Sequence, residues 1–123
     1  MPESLGQRFA RALAAKDEAA LRELLAADVD FKGMTPGRLW EGSSPDEVLD
    51  AVFGHWFGAT DHIDELVHAT DSEPVVDLAA FSYRVHVTND DGRHVVEQQG
   101  YYRAADERIG YLRLMCSGYR PVS

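Results

Sequence analysis

The stretch that decides the fold runs from Val75 to Tyr119: VVDLAAFSYRVHVTNDDGRHVVEQQGYYRAADERIGYLRLMCSGY. Apolar side chains alternate with polar ones from Phe81 to Val87, which is typical of a strand with one buried and one wetter face. Polar turn signals follow at residues 89–92, which end in Asp-Gly, and at residues 105–107. The stretch therefore predicts three long antiparallel strands over residues 75–88, about 93–104, and 109–119.

Both faces of this predicted sheet carry apolar groups. In the return strand, alternation alone does not choose between the face with Val96 and Gln98 and the face with Val95 and Glu97. A sheet that is apolar on both sides usually packs helices on one side and a partner on the other. We therefore expect a homodimer through the outer sheet face. Three arginines of that face would pair with acids across the interface: Arg84, Arg103 and Arg113.

Composition limits the classes of function. The chain has 123 residues, the size of one domain with one core, so residues 1–123 are predicted to form a single domain. The net charge is −9, and residues 39–83 contain ten Asp or Glu but no Lys or Arg. This charge disfavours nucleic acid and anionic membranes as partners. The sequence has one cysteine, no apolar run of transmembrane length and no signal-peptide pattern, so a cytoplasmic location is expected.

The N-terminal half predicts three helices and two short strands. The first helix spans residues 4–15, and the second begins after Asp17 as N-cap. Short strands are expected at residues 28–31 and 39–42. A third helix begins after Ser44, with Pro45 at the first position and Glu47 completing a capping box, and runs to about residue 57. Residues 62–70 suit a strand, although a helical turn also fits.

This order predicts an α+β domain in which three N-terminal helices pack on one face of a strongly curved antiparallel or mixed sheet. Because three helices cannot cover a bent sheet evenly, a cone-shaped cavity is expected between the two layers.

The order and three short motifs resemble the nuclear transport factor two-like superfamily, in particular its SnoaL-like and ketosteroid-isomerase-like branch. The motifs are Leu24–Val29, Trp40-Glu41-Gly42 before the third helix, and Tyr102-Arg103 through Ile109 into the last strand. The resemblance implies a cystatin-like α+β barrel whose inner wall carries any active site. It places these residues inside the cone: Phe81, Tyr83, Val85, Val87, Val96, Gln98, Gly100, Tyr102, Leu112, Leu114 and Cys116.

The catalytic groups that the resemblance implies are missing from the chain. The positions of the ketosteroid isomerase tyrosine, base and oxyanion aspartate fall at Phe9, Gly33 and Gly100. Proton abstraction next to a carbonyl needs a base and a donor, so steroid isomerisation is excluded. The aspartate set of limonene-epoxide hydrolases fails at Leu114, and the paired histidines of scytalone dehydratases are not matched either.

Several residues remain candidates for a site. His55 and Asp77 are the candidate proton carriers, because His55 can reach the cone mouth and Asp77 is on the inward register. Tyr83, Gln98 and Tyr102 would orient a substrate, unless they only satisfy one another. An apolar pocket lining is predicted from these residues: Phe9, Phe53, Trp56, Phe81, Leu112 and Leu114. No metal site and no cofactor are expected, since the acids and histidines of residues 61–68 match no closed ligand pattern.

Three functions stay open at this point. The chain could be a cofactor-independent isomerase, cyclase or dehydratase-type lyase that acts on an apolar small molecule. It could bind such a molecule without catalysis, or it could be a dimeric interaction domain whose cone is only core.

Overall fold

The computed structural model describes residues 3–122. Its helices are α1 (Leu5–Ala14), α2 (Glu18–Glu23) and α3 (Pro45–Leu49), and α3 continues as a π-helical segment, Asp50–Trp56. Its strands are β1 (Leu25–Thr35), β2 (Arg38–Gly42), β3 (His62–Val75), β4 (Leu78–Asn89), β5 (Gly92–Ala105), β6 (Arg108–Cys116) and β7 (Arg120–Pro121). Within residues 3–122, no helix is long and apolar enough to cross a membrane.

The seven strands form one mixed sheet in the order β2-β1-β6-β5-β4-β3, with β7 paired to β5. All pairs are antiparallel except β1 and β6, which run parallel. The α+β class and the mixed sheet are confirmed, but the sheet is not a closed barrel, since its path ends at β2 and β3. Only α1 and α2 precede the first strand, and α3 follows the first hairpin, so the three helices are not all N-terminal.

The first helix begins at Leu5, with Ser4 as its N-cap. Ser4 Oγ accepts a hydrogen bond from Gln7 N at 3.1 Å, and Gln7 Oε1 accepts one from Ser4 N at 3.2 Å. This reciprocal capping box satisfies two backbone donors that have no partner inside the helix. At α3, the predicted cap is present, since Ser44 Oγ accepts from Glu47 N at 3.3 Å, but the Glu47 carboxylate accepts from Ser43 N at 2.9 Å, so the return bond of the box falls one residue earlier.

The long hairpin is close to the prediction from alternation, apart from its start. Residues 75–77 do not belong to β4, because the chain turns at Val76 and Asp77 between β3 and β4. Val76 has φ of 56° and is 95% exposed. Alternation could not reveal this turn, since Val76 is a β-branched residue that rarely adopts positive φ.

The inner face of the sheet is the face that the resemblance implied. Phe81, Tyr83, Val85 and Val87 are buried on β4, and their partners on β5 and β6 are buried with them, except for the half-buried Cys116. Helix α1 lies on this face, where Gly6 contacts the ring of Phe81. The three arginines of the outer face pair within the chain, Arg84 with Glu97 at 2.8 Å, Arg103 with Asp77 at 3.1 Å and Arg113 with Asp30 at 3.2 Å.

The third helix changes its winding at Asp50. Phe57 N donates to Val52 O at 2.7 Å, which is the i→i+5 bond of a π-helix. Residues five apart therefore lie on the same side, and Val52 and Phe57 are both buried while Phe53 is only half-buried. The predicted helix to about residue 57 exists, but sequence periodicity missed the wider turn that carries His55, Trp56 and Phe57.

Candidate functional site

The deep part of the cone is filled by aromatic side chains. Phe9 meets Phe81 edge-on at a ring-centre distance of 6.1 Å and Tyr83 at 6.2 Å. Phe81 also stacks on Tyr83 at 5.7 Å and meets Tyr102 at 5.5 Å. Phe9, Phe81 and Tyr83 have no exposed surface, and Tyr102 is 7% exposed. This cluster fills part of the interior in which the sequence predicted a ligand pocket.

Two glycines make room for these rings. A Cβ on Gly100 would lie 2.4 Å from Phe81 Cε1 and 2.7 Å from Leu114 Cδ2. A Cβ on Gly33 would lie 2.6 Å from Trp56 Cη2. These are the positions at which the resemblance implied the oxyanion aspartate and the base. The chain lacks those carboxylates, and aromatic rings occupy the space beside both backbones.

The polar groups of the interior mostly satisfy one another. The Tyr83 hydroxyl donates to Gln98 Oε1, and the Tyr102 hydroxyl accepts from Gly6 N at 3.2 Å. Burial raises the pKa of the Tyr83 hydroxyl well above its ordinary value, with a smaller effect from Cys116, so this group stays a neutral donor. Gln98 Nε2 is buried and has no hydrogen-bond partner within residues 3–122.

An open cleft lies at the mouth of the cone. It has a volume of about 530 Å³ and is bounded by the β1–β2 turn (35–36), by Trp40, by the end of the π-helical segment (55–57) and by residues 116–120. We call this space the mouth cleft. Its volume is in the range of about 300–1,000 Å³ that small-molecule sites occupy.

The C-terminal segment forms one wall of the mouth cleft because the chain turns sharply after β6. Gly118 has φ of 78°, and a Cβ there would lie 2.8 Å from Pro36 Cγ, so this position favours glycine. The turn brings Tyr119 over the helix end, where its hydroxyl donates to Trp56 O at 2.6 Å. This bond satisfies a carbonyl that the end of the helix leaves unpaired.

Burial raises the pKa of Tyr119, and the nearby Asp61 carboxylate raises it further. The hydroxyl therefore stays protonated across the physiological range. The Tyr119 ring also packs against Phe57 at 6.1 Å and His94 at 5.5 Å, so the wall of the cleft is fixed from behind.

The two tryptophans of the chain both line the mouth cleft, but their indole nitrogens differ. Trp40 Nε1 donates to Thr35 Oγ1 at 2.8 Å. Trp56 is 7% exposed and forms the floor of the cleft, and its Nε1 is screened from solvent and has no hydrogen-bond partner within residues 3–122. Buried donors are nearly always paired, and an unpaired one costs about 1–3 kcal/mol. An acceptor oxygen within reach of this N–H would remove that cost.

The cleft is lined by one histidine and one arginine. His55 lies on the rim, 4.8 Å from the Trp40 ring centre, and its Nε2 is 3.4 Å from Asp50 Oδ2. Arg120 lies on the opposite wall, where its Nε donates to Ser117 O at 3.0 Å. No residue that lines the cleft is an Asp or Glu.

The residues predicted for the site fall into three places. Trp56 lines the mouth cleft and His55 lies on its rim. Asp77 lies in the β3–β4 turn, where its side chain is 65% exposed and pairs with Arg103. Asp77 lies just before the start of β4. Near the other end of β4, Val87 pairs with His94, whose ring packs against Tyr119 at the mouth. About nine residues of extended strand, or 30 Å, therefore separate Asp77 from the mouth. The structure therefore does not bring His55 and Asp77 together.

The remaining predicted lining residues are in or beside the filled interior: Phe9, Phe53, Phe81, Tyr83, Gln98, Tyr102, Leu112 and Leu114. Their predicted contact with a ligand stays a prediction.

Sequence reasoning missed Trp40, Phe57, Tyr119 and Arg120 as residues of the cleft. Trp40 was visible as part of the Trp-Glu-Gly motif, but nothing local marked it as facing a cavity. Tyr119 and Arg120 follow the last long strand, and only the Gly118 turn brings them to the mouth. A glycine between two aromatic-rich segments was the one available signal.

Comparison with known proteins supports the fold. No protein-family model matches the chain, and no curated protein matches it either. Among solved structures, a proposed isomerase from Rhodopseudomonas palustris superposes with a TM-score of 0.68 at 16% identity, covering 96% of this chain and 93% of that one. A proposed SnoaL-like polyketide cyclase from Mesorhizobium loti has a TM-score of 0.58 at 18% identity, with coverage of 89% and 94%.

A protein of unknown function with a cystatin-like fold, from Nostoc punctiforme, has a TM-score of 0.57 at 15% identity, with coverage of 95% and 89%. The chain thus shares its fold with these proteins, one of which is described as SnoaL-like and one as cystatin-like. At these identities the likeness concerns the fold. The function has to be argued from the site.

Proposed function

We propose that this protein binds a small, mainly apolar molecule with an oxygen acceptor in the mouth cleft. The observation that carries the proposal is the unpaired indole N–H of Trp56 in the floor of an aromatic-walled cavity. Trp40, Phe57 and Tyr119 offer apolar surface, and the Trp56 donor offers one directed hydrogen bond. Sites of this kind combine a mostly apolar lining with a few placed polar groups.

Binding in the cleft fits the geometry better than binding deep in the cone. Phe9, Phe81 and Tyr83 occupy the deep space, and the glycines beneath the rings leave them no spare volume. The Trp56 N–H is itself screened from solvent, so a ligand oxygen reaches it only when the aromatic side chains around it shift slightly. Pairing this donor would recover about 1–3 kcal/mol, which corresponds to roughly 5- to 150-fold in affinity.

The test compares two probes of similar shape, 2-acetylnaphthalene with a carbonyl acceptor and 2-ethylnaphthalene without one. Trp40 and Trp56 are the only tryptophans, so intrinsic fluorescence reports on the cleft directly. We expect the ketone to bind at least fivefold more tightly than the hydrocarbon, on the scale of one recovered buried hydrogen bond of about 1 kcal/mol. Trp56→Phe should remove this difference.

Trp40→Phe is the matched control, because it removes an indole N–H that already has a partner in Thr35. This variant should change the affinity for both probes by a similar factor. The proposal fails if neither probe alters the fluorescence up to its solubility limit. It also fails if Trp56→Phe preserves the preference for the ketone.

A catalytic version of this function assigns the proton transfer to His55. This candidate rests on the position of the imidazole at the cleft rim and on its Asp50 partner, 3.4 Å away, which can orient the ring. The chemistry would be a cofactor-independent isomerase, cyclase or lyase reaction of an apolar ketone. Within residues 3–122 no Asp or Glu is buried, so no interior carboxylate competes for the role.

Hydrogen–deuterium exchange of 2-tetralone, followed by NMR, tests the catalytic version. The protein should speed the exchange of the protons next to the carbonyl, and His55→Gln should return the rate to that of buffer while 2-tetralone still binds. Equal rates for the native protein and His55→Gln would leave binding as the function.

The outer sheet face supports a separate proposal, a homodimer. An apolar groove of about 260 Å³ lies there, and Met34, Leu39 and Met115 are each at least half exposed around it. They form one row across the sheet, because Met34 pairs with both Leu39 and Met115. A two-fold contact would cover this row with its own copy. Sedimentation of Met115→Glu tests the dimer, which should dissociate, whereas an unchanged mass would exclude this interface.

A further inference from the structure

The mouth cleft differs in charge from the rest of the chain. The protein has 21 Asp or Glu and 12 Lys or Arg, yet among residues 3–122 the cleft is lined by Arg120 and by no acid. Two carboxylates lie near the cleft and are already paired. Asp50 is exposed beside His55, 3.4 Å from its Nε2, and Asp61 accepts hydrogen bonds from Gly58 N and Asn89 Nδ2, both at 3.0 Å. A basic rim on an acidic protein favours an anionic group on the ligand.

Arg120 is the residue best placed to meet that anion. Five of the ten arginines form an ion pair within residues 3–122, and Arg120 is among the five that do not. Its one side-chain hydrogen bond, from Nε to Ser117 O, leaves the two terminal NH₂ groups available. Arginine presents its donors as a planar fork that fits a carboxylate with two parallel bonds.

A second cation stands next to this rim. The Arg38 guanidinium lies 3.5 Å from the centre of the Trp40 ring and forms no ion pair within residues 3–122. A neighbouring groove of about 550 Å³ shares Thr35, Pro36 and Arg120 with the mouth cleft, and Arg38 lines it. The positive side of the cleft therefore extends outward from Arg120 towards Arg38.

We infer that the ligand is an amphipathic carboxylic acid, bound with its ring system between the aromatic walls and its carboxylate on Arg120 at the rim. This inference rests on the proposed binding function and specifies the class of ligand for the same site. The neutral oxygen faces Trp56 at the floor, and the carboxylate stays at the wet end of the cleft. This orientation leaves the charge solvated, since burying it at the floor would carry a large desolvation cost.

The experiment uses 6-acetyl-2-naphthoic acid and its methyl ester, which share the ketone and the ring system and differ only in charge. Tryptophan fluorescence titration at low ionic strength gives both dissociation constants. We expect the acid to bind more tightly than the ester to the native protein. Arg120→Gln should weaken binding of the acid by about three- to tenfold, the scale of a partly exposed charge-assisted pair, and leave the ester unchanged.

Arg108→Gln is the control for net charge. Arg108 is exposed and is the first residue of β6. The last residue of β6, Cys116, lines the cleft, so about eight residues of strand, or 26 Å, separate Arg108 from the cleft. This variant should leave both dissociation constants unchanged. Added salt should weaken binding of the acid and not of the ester, because the contact lies in a solvated rim.

The outcomes separate the two proposals. Equal binding of acid and ester to both the native protein and Arg120→Gln would overturn the carboxylate inference while leaving the binding function standing. Equal losses in Arg120→Gln and Arg108→Gln would also overturn it, because net charge would then explain the effect. Failure of both probes to bind the native protein would overturn the binding function itself.

Discussion

Replacing Gly100 by alanine tests whether the cone interior is filled. The added Cβ would lie 2.4 Å from Phe81 Cε1 and 2.7 Å from both Phe81 Cζ and Leu114 Cδ2. Contacts below 3.0 Å require a side chain or a strand to move. An interior with free volume would let the Phe81 ring swing away at little cost.

The structure gives the Phe81 ring no room to move. Tyr83 stacks on it at 5.7 Å, Phe9 and Tyr102 meet it edge-on at 6.1 and 5.5 Å, and a Cβ on Gly6 would lie 2.7 Å from its Cγ. Overpacking a core of this kind costs about 1–3 kcal/mol. Because every side of the ring is in contact, we expect Gly100→Ala to lower the free energy of unfolding by roughly 2–3 kcal/mol.

Urea unfolding followed by circular dichroism measures this change. At an unchanged m-value of about 1–2 kcal/mol/M, the midpoint should fall by roughly 1–3 M. Gly110→Ala is the control, because its Cβ would meet only the Ala105 methyl at 3.1 Å and the site lies in the neighbouring strand. We expect this substitution to change stability by less than about 1 kcal/mol.

A double substitution shows whether Phe81 is the cause. Phe81→Leu removes the ring, so the alanine at position 100 should cost less in that background by at least about 1 kcal/mol. The reasoning is refuted if Gly100→Ala is as stable as the native protein. It is also refuted if the two substitutions add without coupling.

Three further predictions concern the interior, alkaline pH and one turn. Tyr83→Phe leaves Gln98 without its hydrogen-bond partner, and Gln98→Leu leaves the Tyr83 hydroxyl without its own. Each variant should lower the unfolding free energy by about 1–3 kcal/mol, whereas the double variant should lower it by clearly less than the sum of the two. The folded state raises the pKa of Tyr83 and Tyr119, so their contribution to stability is complete below the unfolded value near 10 and is lost as pH rises above it. Above pH 10 the unfolding free energy should then fall by about 1.4 kcal/mol per pH unit for each of the two tyrosines. Tyr119→Phe should halve that slope, and a slope equal to that of the native protein would contradict this prediction. Val76→Asn should raise the unfolding free energy by about 1 kcal/mol, because asparagine tolerates the φ of 56° better than valine does. A lower denaturation midpoint in this variant would show that the turn is not strained.

The sequence by itself determined the three long strands of the hairpin region and the inward side chains of the first of them. Alternation from Phe81 to Val87 and two polar turns are local signals, because successive side chains of a strand point to opposite faces. The inward face of the return strand came from the family resemblance. The missing tyrosine at Phe9 and the missing carboxylates at Gly33 and Gly100 were equally visible once that resemblance was drawn. Steroid isomerisation could therefore be excluded from the sequence resemblance without coordinates.

Only the tertiary structure revealed the mouth cleft. Apart from Trp56, the predicted pocket residues are in or beside an aromatic core, whose packing depends on how rings from α1, β4 and the π-helical segment meet. The cleft at the mouth arises from four separate segments, and two of its walls depend on a π-helical turn and on the left-handed Gly118. Neither feature has a periodicity that a sequence pattern detects, because each comes from contacts between residues far apart in the chain.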